Sequence, residues 1–68
     1  MTSRPVPEPG QIGLALTQAR HADAAQLLEA WLAAHPDDAD GWFNLGFCRR
    51  HLLDADGAIA AYGRALAA

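Results

Sequence analysis

The chain has no lysine, and its five basic residues, all arginine, are outnumbered by eight acidic ones, leaving a formal net charge of −3. That excludes a general basic field for tracking a phosphate backbone, so nucleic acid is not an expected partner. Only one cysteine is present, Cys48. An internal disulfide is therefore excluded, and a free thiol is most simply housed in the reducing cytoplasm, the expected location. No run approaches the roughly 20 uninterrupted apolar residues of a membrane span. The opening MTSRPVPEPG also lacks the apolar stretch of a signal peptide. Aromatic residues are sparse, two Phe, two Trp and one Tyr, while 51% of the chain is hydrophobic and much of that share is alanine. This balance favours closely packed helices over a sheet sandwich. A chain of 68 residues makes one small domain whose core is thin enough to invite completion by something else.

Proline sits at positions 5, 7 and 9, which blocks helix over residues 1–8 and favours an extended arm, disordered in isolation. Pro9 suits the first position of a helix, which is expected to run through Ile12, Leu14 and Leu16 to about Arg20. A second helix is expected over Ala22 to Ala34, with Ala24, Leu27, Leu28, Trp31 and Leu32 on one face. His35-Pro36-Asp37-Asp38 ends it, and Asp38 is placed to cap the next helix. That third helix, about Ala39 to Leu52, carries two stripes. Trp42, Leu45, Gly46, Leu52 and Leu53 share one side, and Phe43, Asn44, Phe47, Arg50 and His51 the other. A fourth helix from about Ala55 gathers Ala58, Ile59, Tyr62, Ala65 and Leu66 on one face. The fold class is thus all-α, with an arm at 1–8 and a helical domain at 9–68.

Trp42, Leu45, Gly46, Ala58, Tyr62 and Ala65 form W-x-x-L-G, an eleven-residue gap, then A-x-x-x-Y-x-x-A. This stretch, about half the chain, resembles one tetratricopeptide repeat. The helix of residues 22–34 matches the last helix at an offset of 34, setting Ala24 on Ala58, Leu28 on Tyr62 and Leu32 on Leu66. The earlier copy of the first helix matches best by residue type when its turn is one residue shorter, so that Ile12-Gly13 falls on Leu45-Gly46. The resemblance implies two antiparallel helix pairs, 9–36 and 37–68, stacked as a short α-solenoid. It also implies that a bulky residue at Gly13 or Gly46 would splay a pair. Two departures follow from the pattern: Trp31 stands where a small residue is usual, predicting a wider first pair, and Arg49 stands where an aromatic is usual. Arg49 is expected to lie along the stripe and meet a carboxylate such as Asp54 or Asp56.

In that family the first helix of each pair lines a concave groove that receives a peptide or another protein's helix. By position, the second repeat would present Asp40, Phe43, Asn44, Phe47, Arg50 and His51, and the first would present Gln11, Leu14, Thr17 and Gln18. Phe43 and Phe47 beside an amide and a cation offer apolar contact, a backbone-fixing group and a carboxylate partner. The competing structural reading is that both phenylalanines complete the core between repeats. Asn44 matches one position of a terminal-carboxylate clamp, but the basic residues such a clamp needs from the earlier repeat are missing. The expected function is non-catalytic protein or peptide binding, with no cofactor and no metal.

Enzyme chemistry fails on inventory. Cys48 and His51 lie three apart on one helix, yet no further positioned group supports them, and a surface or half-buried thiol is the expected state. Asp37, Asp38, Asp54 and Asp56 precede helices, where carboxylates cap backbone N–H groups. His21 and His35 fall in turns. Two repeats leave one face unfinished, here Ile59, Tyr62 and Leu66. Its expected cover is a second copy in a homodimer, a partner, or further repeats of a longer parent chain, such as an enzyme, in which this segment is an N-terminal self-association or docking domain.

Overall fold

The computed structural model describes residues 5–68, and the only regular secondary structure among them is helix. Four helices follow one another: α1 (Pro9–Thr17), α2 (His21–Ala34), α3 (Ala39–His51) and α4 (Ala55–Ala67). Short turns at 18–20, 35–38 and 52–54 reverse the chain each time, so each helix packs on its neighbour in sequence: α1 on α2, α2 on α3 and α3 on α4. Residues 1–4 of the expected arm lie outside the described residues. Residues 5–8 are irregular, and Pro7 is half-buried instead of solvated.

Several helix boundaries have a local cause. Pro9 opens α1, and the Gln11 side-chain oxygen reaches back to accept the Glu8 N–H at 2.8 Å. Asp54 caps α4 by accepting the Gly57 N–H at 3.0 Å, which satisfies one of the four donors that a helix start leaves free. Asp38 is the N-cap of α3 by position, but its side chain makes no capping bond. Its carboxylate accepts the Trp31 indole N–H at 2.8 Å instead. The Trp42 indole donates to the Pro36 carbonyl, also at 2.8 Å. Two indoles, one from each side, thus hold the turn between α2 and α3.

Two residues that give no turn signal, Ala19 and Leu53, adopt left-handed backbone with φ of 56° and 62°. They end α1 and α3 by turning the chain off the helix axis. The residues just before them, Gln18 and Leu52, share the same angles, φ −86° and ψ 6°. The repeat in the backbone is therefore uniform at 34 residues. This corrects the shortened register expected for the first copy: the counterpart of Gly46 is Ile12, not Gly13. Leu52 and Leu53, assigned to the core stripe, lie past the helix end and are exposed, Leu53 almost fully.

The core gathers Ile12, Ala15, Ala24, Ala25, Leu28, Leu32, Leu45, Cys48 and Ala61, with Leu16, Leu27, Trp31 and Trp42 packed at its edge. Cys48 is fully enclosed. The expected surface or half-buried thiol is overturned because Cys48 belongs to the side of α3 that carries Leu45 and Gly41, whereas His51 is exposed. On α4 the buried positions are Ala58 and Ala61. Ala61 lies outside the apolar face expected for this helix, and its small side chain is what a close helix approach requires.

Gly46 marks a close approach of α3 to α4. A Cβ there would lie 2.7 Å and 2.8 Å from ring carbons Cδ1 and Cε1 of Tyr62, inside contact distance. At Gly13 a Cβ would meet nothing within 4 Å, so the expected crowding at that position is overturned by the register change. Arg49 also departs from expectation. Its guanidinium donates to Glu29 of α2 at 3.1 Å and to the Gly57 carbonyl of α4 at 3.2 Å, not to Asp54 or Asp56. The Asp54 carboxylate is turned to its cap, and α3 sits between α2 and α4, so Arg49 joins both neighbours.

Candidate functional site

The second stripe of α3 faces away from this core. Phe43 is 55% exposed and Phe47 37%, so neither completes the core between repeats. Aromatic neighbours hold them in place. Phe43 tilts against Tyr62 of α4 at a ring distance of 5.4 Å, and Phe47 meets His51, one turn further along, at 4.5 Å.

His21 joins the site from α2. Its ring stacks almost parallel on His51, 4.3 Å apart with 8° between planes, and meets Phe47 edge-on at 5.8 Å. Antiparallel packing brings the start of α2 beside the end of α3, which is why residues thirty apart in sequence touch. The sequence alone suggests a turn at His21; the antiparallel pairing of α2 with α3 is what brings its ring to the site. His21 is half-buried, and its Nδ1 is enclosed without a hydrogen-bond partner. The result is a row of rings in two groups about one helical turn apart, Tyr62 with Phe43 and Phe47 with His51 and His21.

Polar groups flank the row. Arg50 is exposed, and among the described residues it forms no ion pair; the pairs present are Arg20–Asp23 at 2.8 Å and Arg49–Glu29 at 3.1 Å. Asn44 is half-buried and lines a shallow cleft with Pro9, Ile12, Leu28, Trp31, Asp38, Asp40 and Gly41. The two ends of α3 differ in sign, with Asp40 in its first turn and Arg49, Arg50 and His51 in its last. A segment lying along α3 would meet apolar rings in the middle and a cationic end beyond them.

The first-repeat residues assigned to the same groove do not extend it. Gln11 and Leu14 line a separate cleft at the outer side of α1 and α2, with Pro7, Leu27 and Ala30. The Thr17 hydroxyl donates to the Gly13 carbonyl at 2.8 Å, and the Gln18 side-chain oxygen accepts from Arg20 at 3.0 Å. By the uniform register, the positions on α1 that correspond to Phe43 and Phe47 are Pro9 and Gly13.

No group of three or more His, Cys, Asp or Glu side chains among the described residues is arranged to hold a metal ion. None of the described helices is long and apolar enough to cross a membrane. Comparison with protein-family models, with curated proteins and with solved structures returns no significant match for this chain.

Proposed function

We propose that the chain is a tetratricopeptide-like interaction module that binds a peptide or a helix of another protein along the outer stripe of α3. The observation that carries this reading is the row of exposed rings on a helix whose opposite side is already occupied by core contacts. Large apolar residues gathered on an accessible face favour a partner that removes them from water. Phe43 and Phe47 supply the apolar anchors, Arg50 and His51 the contact to an acidic group, and Asn44 an amide for an extended backbone. The role is binding without catalysis, in the cytoplasm. The absence of a catalytic role for Cys48 fits the binding part of this reading, since a thiol sealed in the core is not placed to act as a nucleophile.

The test is selection of binding peptides from a random displayed library, followed by titration against Phe47→Ala and Arg50→Ala. Selected peptides should bind the wild-type chain and lose affinity about tenfold or more with Phe47→Ala. Arg50→Ala should weaken chiefly the acidic peptides. Peptides held equally well by both variants would remove the stripe as the binding site.

A further inference from the structure

The two ends of the molecule carry the two halves of an interface that the chain already makes within itself. Between the repeats, α2 is covered by α3. Ala25 and Leu32 on α2 are only 8% and 3% exposed, and a Cβ at Gly41 of α3 would lie 3.0 Å from Cδ2 of Leu32. Leu45 and Cys48 complete the buried side of α3.

Advancing the α2 half by 34 residues gives Ile59 and Leu66 on α4, which are 69% and 89% exposed. Moving the α3 half back by 34 gives Pro7, Gln11 and Leu14. These three line the open cleft of about 690 Å³ at the opposite end of the molecule, together with Val6, Leu27 and Ala30. The same shift turns the Glu29–Arg49 ion pair into Gly63 and Ala15, so repeating the contact leaves no charge of that pair unpartnered. Two changes on the line make the repeated contact weaker than the internal one: Gln11 replaces Leu45, and Pro7, in the irregular segment before α1, replaces the helical Gly41 that lies against Leu32.

We propose that copies of this chain stack head to tail, α4 of one copy covering α1 of the next in the register by which α2 meets α3. The occupant of the exposed α4 face is a second copy because the opposite end, over the nine residues of α1, offers the complementary half in the same repeat register. Such a contact joins different patches on the two partners, so it extends into a row of copies instead of closing as a symmetric dimer. The aromatic stripe of α3 takes no part in it.

Sedimentation equilibrium of the 68-residue chain from micromolar to millimolar concentration tests this. Leu66→Glu blocks one end and Leu14→Glu the other; both side chains are exposed, and circular dichroism verifies that helicity is retained. The wild type should grow in mass with concentration, each variant should weaken self-association about tenfold or more, and a mixture of the two should form a one-to-one dimer and nothing larger. A wild type that stays monomeric throughout overturns the proposal, as it would if the α4 face is reserved for another protein. So does undiminished association of Leu14→Glu, the signature of a symmetric α4–α4 contact, or a mixture that remains monomeric. Phe47→Ala should leave self-association unchanged, which separates this outcome from the fate of the groove.

Discussion

Gly46→Ala isolates the packing of α3 on α4. In a helix interior, replacing glycine by alanine stabilises by about 1 kcal/mol through backbone entropy alone. At Gly46 the new methyl would sit 2.7 Å from a ring carbon of Tyr62. A rigid aromatic ring held beside Phe43 must swing aside or the helices must part, and inserting a methyl into a filled site costs about 1–3 kcal/mol. The net expectation is neutral to about 2 kcal/mol destabilised. Gly13→Ala provides the internal reference, since it lies within α1 and its Cβ would meet nothing within 4 Å. It should gain close to the full propensity term.

The quantity that matters is the difference between the two variants, about 1–3 kcal/mol, in which the propensity term cancels. Urea denaturation monitored by circular dichroism measures it from midpoints at a common slope. For a domain of this size each kcal/mol moves the melting temperature by about 4–8 °C, so thermal scans give an independent reading. Placing Tyr62→Leu behind Gly46→Ala should return part of the loss, because the smaller side chain vacates the space. If Gly46→Ala stabilises as much as Gly13→Ala, the close approach of Gly46 to Tyr62 is refuted as a feature of the folded state.

Other perturbations follow from single contacts. Asp54→Ala should lower stability by about 1 kcal/mol in denaturant titration, and Asp54→Asn far less, because either polar side chain can accept the Gly57 N–H. Arg49→Met keeps the aliphatic stem but removes the link between α2 and α4; a loss of about 1 kcal/mol is expected, with little salt dependence because Glu29 is well exposed and contributes little by charge. Cys48 should resist thiol reagents until the protein opens, with labelling that tracks unfolding as denaturant is added. Desolvation raises the Cys48 pKa above its ordinary value of 9.0. The unfolded chain therefore loses this proton first, so the Cys48 contribution to stability is fully present below pH 9 and is lost as pH rises through the folded pKa. Cys48→Ala should remove that alkaline component from a stability-against-pH profile, and its persistence would assign the component to another group.

Helix number and order were legible because apolar residues recur at helical spacing and because Pro9, Pro36 and the aspartates punctuate the chain. The α2 face from Ala24 to Leu32 also stands as its periodicity indicates. Less legible were places where position depends on a neighbour far away in sequence. Arg49 chose Glu29 over the nearer Asp54 because α3 is flanked by two helices, and a local reading weighs only close acids. His21 entered the aromatic row for the same reason. Leu52 and Leu53 continue an apolar pattern beyond the point where the backbone has already turned, and leucine carries no hint of a left-handed φ.

The register of the first copy is the most instructive of these departures. Matching by residue type favours placing Ile12-Gly13 on Leu45-Gly46, since both pairs read as large then small. The folded chain instead places Ile12 at the position of Gly46 and Leu28 at that of Tyr62. Across the second pair a glycine faces a bulky ring; across the first, two medium aliphatic side chains share the same cluster. What the two pairs have in common is their facing position in a close-packed core, where the smaller residue on α3 goes with the larger one on α4, not the identity of either member. A residue-by-residue alignment cannot detect that exchange, because the compensating change lies one helix away. The same exchange frees Gly13 from contact. It also makes the outer faces of α1 and α4 readable as the two halves of one repeated interface, since Leu66 already stands on Leu32 and only the uniform register sets Leu14 on Cys48.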